Sequence, residues 1–244
     1  MKLAAIYNTW DGVELLRGSM LCLKDHVDLF IIVWQDISNF GEAYSPVPDM
    51  DLSGFSNVIL QRYDPKVGAG FFNEKAKRNL GLDIARREGC THFLHIDCDE
   101  YYEDFGKAKE LYIQSGKRGS VCKLYTYFRL PTLRFDTPDG YFVPFIHELR
   151  PETQAGLRHY PFYVDPTRRI NETEVIELPV FMHHFSWVRK DIERKCRNSS
   201  AKENIERGTM LQDYYSKDLG EGYYVRDYDK KLTVVPNSFG ICFS

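Results

Sequence analysis

Four short apolar runs punctuate the first part of the chain, separated by amphipathic or polar stretches. Lys2–Tyr7, Val27–Trp34, Asn57–Tyr63 and Thr91–Asp97 are rich in branched and aromatic residues and have strand length. Val27–Trp34 is almost continuously apolar, as a strand covered on both faces requires. Val13, Leu16, Met20 and Leu23 recur at helical spacing and predict a helix over 13–25. "NEKAKRNLGLDIARREG" carries a second stripe, Ala76, Leu80, Ile84 and Ala85, with Asn73 as the expected N-cap and Gly89 as the stop. Residues 38–56, with two prolines and two glycines, read as a loop. Strand, helix, strand, loop, strand, helix, strand is the order of an α/β domain with a mostly parallel sheet.

The later pattern is different. Ser120–Leu130 and Val175–Phe185 read as strands, and aromatic, Pro-containing, basic connections join them. A long helix is expected from Ser186 onward, and "YYVRDYDKKLTVVP" reads as a small hairpin or irregular wrap. The whole, 1–244, is expected to be one domain: residues 1–104 form one half, and 105–244 form a second with a C-terminal helix and tail.

Charge divides the chain in the same place. Residues 1–104 hold 10 Lys or Arg against 17 Asp or Glu, and residues 105–210 hold 18 against 13. The second segment can therefore face something anionic, although a nucleic-acid footprint is usually more basic. The 6 cysteines are scattered without a C-x-x-C pair, which argues against a zinc site and fits free thiols in a reducing compartment. No secretory signal and no span of about 20 apolar residues is visible, so a cytoplasmic protein without a membrane segment is expected.

In parallel α/β sheets ligands bind beyond the carboxyl ends of the strands. Three such ends carry polar residues: Tyr7-Asn8-Thr9, Gln35-Asp36 and Asp97-Cys98-Asp99. In an extended segment Asp97 and Asp99 point the same way, and two hard carboxylates at a crevice rim suit Mg2+ or Mn2+. Glu100, Glu103 and Asp104 read as solvated turn acids.

"KRNLGLDIARREGCTHFLHIDCDE" resembles the donor-binding half of GT-A fold glycosyltransferases, particularly the family 2-like ones. Their pattern is an Arg-Asn-x-Gly helix with a downstream Ala, a hydrophobic strand and then D-x-D. The matching residues are Arg78, Asn79, Gly81, Ala85, Asp97 and Asp99, and the resemblance spans roughly residues 2–104. It implies a GT-A (Rossmann-like) sheet flanked by helices, with a smaller mixed acceptor-side region. It also implies a nucleotide-diphosphate sugar donor, usually UDP-linked. The base and ribose would sit against Tyr7, Asn8, Thr9, Asp36 and Arg78, with Lys75 and Asn79 as further candidates on the same helix. Mn2+ or Mg2+ on Asp97 and Asp99 would bridge the diphosphate.

"FMHHFSWVRKDIERK" supplies the other candidates. Alternation puts His183 and His184 on opposite faces. The resemblance implies a late histidine in the metal shell, with His184 preferred and His183 as fallback. Arg189 and Lys190 in the first turn of a helix would be unfavourable unless an anion binds there, which makes them candidates for the diphosphate.

Transfer to an acceptor hydroxyl by an inverting route needs a carboxylate base. The acidic pair and the Q-x-x-R-W motif usual in the family are not visible. Glu148 in "PFIHELRP" and Asp136 in "LRFDTPDG" are the candidates. Arg129, Arg134, Arg150, Arg158, Arg168 and Arg169 lie among many Tyr and Phe residues, a mixture suited to a glycan, lipid or protein acceptor and, less favoured, to a modified DNA base. A nucleotidyltransferase of similar fold and a non-catalytic nucleotide-sugar-binding module are the alternatives.

Overall fold

The computed structural model of the chain describes residues 1–199 and 208–242. The expected first half forms. Strands β1 (Leu3–Thr9), β2 (Leu29–Trp34), β3 (Val58–Arg62) and β4 (His92–Asp97) alternate with helices α1 (Val13–Leu23) and α2 (Gly70–Arg87). They pair in parallel in the order β3-β2-β1-β4. Side-chain alternation along β1 and β2 divides the core between two faces. Leu3, Ala5, Tyr7, Phe30 and Ile32 pack with Leu16, Met20 and Leu23 of α1, and with Phe105, Ala108 and Tyr112 of helix α3 (Phe105–Ser115). Ala4, Ile6, Leu29, Ile31 and Val33 pack with Leu82, Ile84 and Ala85 of α2 on the other face. Gly81 permits that approach, because a Cβ there would fall 2.2 Å from Ile6 Cγ2.

The second half continues the same sheet with mixed polarity. β6 (Gly119–Phe128), β7 (Leu133–Phe135) and β8 (Val143–Glu148) follow α3, and β8 pairs antiparallel with both β4 and β6. β9 (Val175–Trp187) runs parallel to β6 and antiparallel to the three-residue β5 (Glu100–Tyr102). The tail forms the expected hairpin, β10 (Tyr224–Val225) with β11 (Lys230–Val234), which joins β7 at the sheet edge. The order is β10-β11-β7-β6-β8-β4-β1-β2-β3. No helix among the described residues is long and apolar enough to cross a membrane.

Two boundaries differ from expectation. α2 begins at Gly70, so Asn73 lies inside it, buried, and is not its cap. Its amide instead pins the preceding loop: Oδ1 accepts from the Lys66 backbone N–H at 3.0 Å, and Nδ2 donates to the Lys66 carbonyl at 2.8 Å. No helix opens at Ser186, because β9 pairs through Trp187. Helix α4 (Ile192–Asn198) begins later, with Asp191 as its cap through a 2.8 Å bond from the Arg194 N–H. The expected continuation over 200–207 lies outside the described residues. Helix α5 (Met210–Tyr214) packs with Phe128, Phe135, Trp187 and Leu232 in a separate cluster under the tail.

Candidate functional site

The carboxyl ends of the parallel strands surround a cavity of about 440 Å3. β1 contributes Asn8, and the segment after β2 contributes Gln35, Asn39 and Phe40. β4 and the turn after it contribute Asp97 and Asp99, and α2 contributes Glu74, Lys77 and Arg78. The second half of the chain adds Asp165 and Thr167 from the short turn at Pro166–Arg168, Arg189 from the segment after β9, and Lys195 from α4. The convergence is topological. β5 pairs with β9 so that Glu100 stands opposite His184, which brings "HHFSWVR" against the acid turn.

Asp97 and Asp99 both reach this cavity, but β4 ends at Asp97 and Asp99 sits on a turn, so their surroundings differ. Asp97 Oδ2 accepts from Arg168 Nη2 at 2.5 Å, and its Oδ1 lies 3.4 Å from Arg78 Nη2. Burial alone would push the Asp97 carboxyl up. Arg168 and then Arg78 outweigh it and hold the group at about 2. Asp99 is buried, with Arg189 on its Oδ2 and His184 Nε2 3.6 Å from the same oxygen. Burial is again the largest influence and again loses: Arg189 and His184 hold Asp99 well below the usual carboxylate range.

Glu100 is not the solvated turn acid expected from the sequence. It is buried, both of its oxygens meet Arg168 at 2.5 and 2.9 Å, and Oε2 also accepts the Asp97 backbone N–H at 3.0 Å. Burial, opposed by Arg168, leaves its carboxyl raised. Asp104 caps α3 by accepting from the Lys107 N–H at 3.0 Å, and it is exposed, as is Glu103.

The other expected donor contacts divide sharply. Arg78 Nε donates to Thr167 Oγ1 at 3.2 Å, and Asn8 Nδ2 donates to Glu74 at 3.1 Å, so both face the cavity. Tyr7 does not. The pleat turns it into the α1 layer, fully buried, with its hydroxyl 2.9 Å from Ser19 Oγ. Thr9 lies on the same side of β1, buried, 3.3 Å from Cys98 Sγ. Asp36 turns away to Arg62 at 3.1 Å, and Lys75 lies against Gly156. Asn79 is a brace, accepting the Ala155 N–H at 2.9 Å and donating to the Ala155 carbonyl at 3.2 Å. Lys190 is exposed and contributes only its backbone N–H, to Glu14 at 3.1 Å. Because Arg189 and Lys190 precede α4 and lie in no helical turn, the expected helix-terminus argument does not apply to them.

His183 and His184 face opposite ways. His183 Nδ1 lies 2.9 Å from the Tyr127 hydroxyl in a buried cluster, where burial pushes its imidazole down to about 4. Neither expected base is near the acid pair. Glu148 pairs with His92 at the start of β4, the end opposite Asp97. Asp136 is exposed and lines no cavity with the acids. The basic surface expected of the second half is mostly engaged internally. Arg129 donates to the carbonyls of Tyr214 and Ser216, Arg134 stacks 3.6 Å from the Tyr125 ring centroid, and Arg150 pairs with Glu152 and Glu172.

Three cavity residues escaped the sequence reading, Lys77, Lys195 and Asp165, and so did the role of Arg168, expected on the acceptor side but buried against Asp97 and Glu100. Only spatial contact reveals them, since none belongs to a motif. Among the described residues, Arg78 Nη1, Arg189 Nε and Nη1, Asn8 Oδ1, Gln35 Oε1 and Trp10 Nε1 are buried without a hydrogen-bond partner. Unpaired buried polar atoms are costly, and their clustering around one cavity marks a place built for a polar ligand. Among the described residues no three or more His, Cys, Asp or Glu side chains are arranged to hold a metal ion. Asp97 is also occupied on both oxygens by arginine. Asp99 and His184 form a two-donor pair, with Arg189 on the Asp99 oxygen nearest His184, so a hard divalent cation there would use the other Asp99 oxygen and take its remaining positions from phosphate oxygens and water. A second cavity of about 340 Å3 is lined by Thr126, Asp139, Tyr141, His184, Tyr228 and Lys230; His184 lines this cavity and not the first.

Neither a protein-family model nor a curated protein matches the chain. Solved structures are similar at low identity. The crystal structure of S. aureus TarS 1-349 is 12% identical, covering 90% of this chain and 75% of that one at a TM-score of 0.47. The same S. aureus TarS fragment in complex with UDP-GlcNAc is 12% identical, covering 89% and 68% at 0.49. The crystal structure of 4-diphosphocytidyl-2C-methyl-D-erythritol synthase is 15% identical, covering 60% and 73% at 0.37.

Proposed function

We propose that the chain is a glycosyltransferase that takes a nucleoside-diphosphate sugar, with UDP as the expected nucleotide, and moves the sugar to an acceptor hydroxyl. The observation that carries this reading is the pair of buried guanidiniums, Arg78 and Arg189, that present partnerless N–H groups to one cavity also lined by Lys77 and Lys195. Oriented guanidinium N–H groups are receptors for phosphate oxygens. The same cavity holds the amides of Asn8, Gln35 and Asn39 beside Phe40 and Phe71, a lining suited to a polar heterocycle.

In this reading Arg78, Arg189, Lys77 and Lys195 bind the diphosphate and neutralise the charge that develops as it leaves. Asp99 and His184 would hold Mn2+ or Mg2+, which supplies further positive charge to the leaving phosphates. Asp165 is the proposed base. Among the described residues it is the cavity carboxylate without a salt bridge, although its charge acts on Arg168, whereas Asp11, Glu74, Asp97 and Asp99 are each ion-paired. One Asp165 oxygen accepts from the Thr167 N–H and hydroxyl, both at 2.6 Å, which fixes the orientation of the carboxylate. With Asp165 taking the acceptor proton at the face opposite the leaving group, the reaction inverts the anomeric centre. The second cavity, lined by Tyr141 and Tyr228 with Asp139 and Asp227, suits a polyhydroxyl acceptor better than anionic DNA.

The test is calorimetric binding of UDP, GDP and CDP with Mn2+, followed by hydrolysis of the matching nucleotide sugars. Binding of one diphosphate that is weakened by about tenfold or more in Arg78→Ala and in Arg189→Ala supports the reading. Binding of none, or wild-type affinity in both variants, overturns it.

A further inference from the structure

We infer that Gly12 is a positioning residue for Arg189, and that the turn between β1 and α1 fixes where that guanidinium can reach. The inference rests on the proposed role of Arg189 as a receptor for the donor diphosphate. Gly12 has φ 78, and its carbonyl accepts the Leu15 N–H at 3.0 Å where α1 begins. A Cβ at this position would fall 2.1 Å from Arg189 Nη1 and 2.8 Å from Cζ. The guanidinium therefore rests directly on the glycine backbone.

It has little room to move elsewhere. Its other side meets Asp99, and its side chain is 5% exposed. The same turn grips the chain that follows Arg189 at two points. Glu14 accepts the Lys190 backbone N–H, and Asp11 pairs with Arg194 Nε, each at 3.1 Å. With its backbone held and one face on Asp99, the guanidinium is pressed between a carboxylate and a bare Cα. Nε and Nη1 have no partner among the described residues. A methyl group at position 12 would displace the far end of this side chain and leave the sheet untouched.

Backbone strain is the competing account, because a left-handed φ disfavours any Cβ. Gly89 separates the two. It has φ +71, a Cβ there would meet nothing within 4 Å, and it lies before β4, away from the cavity. Gly89→Ala carries the strain without the clash.

The experiment compares UDP affinity in the presence of Mn2+, by calorimetry on the full chain, for wild type, Gly12→Ala, Gly89→Ala, Arg189→Ala and the Gly12→Ala/Arg189→Ala double variant. The expected result is a loss of about tenfold or more in Gly12→Ala, the order of one charge-assisted hydrogen bond, and less than about twofold in Gly89→Ala. In the Arg189→Ala background Gly12→Ala should cost nothing further, since the partner of the clash is gone. Equal affinity in wild type and Gly12→Ala, or an additive loss in the double variant, overturns the inference and leaves the reading of the site intact. Absence of UDP binding by wild type overturns both. Should Gly12→Ala fail to fold, recovery of folding in the double variant supports the clash, and failure of both overturns it.

Discussion

Arg168 Nη2 lies 2.5 Å from Asp97 Oδ2 and 2.5 Å from Glu100 Oε1, so one buried guanidinium serves both ends of the acid turn. The turn carrying Arg168 also sends Thr167 to Arg78 and Asp165 to the cavity. A short connection in the second half of the chain thereby fixes the acids, one of the arginines proposed to bind phosphate and the proposed base together. Asp97 is consequently a structural anchor of the site, with both oxygens on arginines, whereas Asp99 meets an arginine through Oδ2 only and is the carboxylate proposed for the cation.

Removing Arg168 should therefore unfold more than it inactivates. Arg168→Met leaves Asp97 and Glu100 without their shared counter-ion, and breaking a buried pair from one side costs about 3–5 kcal/mol. Denaturant unfolding should show that loss. Glu100→Gln in the same background should recover part of it, because one buried charge fewer remains unpaired. The acid limb follows from Asp97. Its carboxyl is held at about 2, below its unfolded value of about 3.9, so its stabilisation is present above pH 4 and is lost as pH falls through 2. Asp97→Asn should flatten the stability curve between those values. An equally steep curve in the variant would show that Arg168 does not depress Asp97.

The two aspartates should also separate in Mn2+ titrations in the presence of UDP. Asp99→Ala and His184→Ala should each weaken Mn2+ binding by about 10–100-fold, the usual cost of disturbing a metal site. Asp97→Asn should leave it within a fewfold, because arginines already occupy both Asp97 oxygens. Chelation by EDTA should lower transfer. Equal loss in all three variants would restore Asp97 to the ligand set.

The sequence made the parallel half legible because its strands are continuous apolar runs and its helices carry one apolar stripe, and both signals are local. Even there, parity along β1 decided function: Asn8 reaches the cavity, while Tyr7 and Thr9, one residue to either side, are core. The matched motif residues proved to have separate jobs. Gly81 lets α2 approach Ile6, Asn79 braces Ala155, and Arg78 alone of the three faces the acids. Asp165, Lys195 and the pairing of Arg168 with the acids were illegible because only the pairing of β5 with β9 and the fold of a Pro-containing loop bring them in. The helix expected from Ser186 failed because β9 continues to find partners on β6 as far as Trp187.

Asp165→Asn should lower kcat by about 10²–10⁴-fold with donor affinity unchanged, the signature of a lost general base. The side chain is exposed, so folding should be unaffected. The remaining amide oxygen can still accept from Thr167, which keeps the turn in place. A rise in donor Kd with kcat unchanged would instead make Asp165 a donor contact. No change in either would remove it from the site.

Lys195 gives the site a pH dependence of defined sign. Burial, and then the neighbouring Arg189 charge, push its ammonium down from the ordinary lysine value. It should therefore lose its proton at a pH below the usual value of about 10.4. Each lost proton removes a positive charge from the cavity, while the nucleotide phosphates have already reached full charge, so UDP affinity should fall on the alkaline side, before the ordinary lysine value is reached. Bound diphosphate favours the ammonium, so binding on the alkaline side should take up a proton. Calorimetry at pH 9 in buffers of different ionisation enthalpy measures that uptake directly. Lys195→Arg should bind UDP with a flat profile and no proton uptake, and Lys195→Ala should bind more weakly with the same flat profile. Uptake that persists in Lys195→Ala would assign the titration to another group.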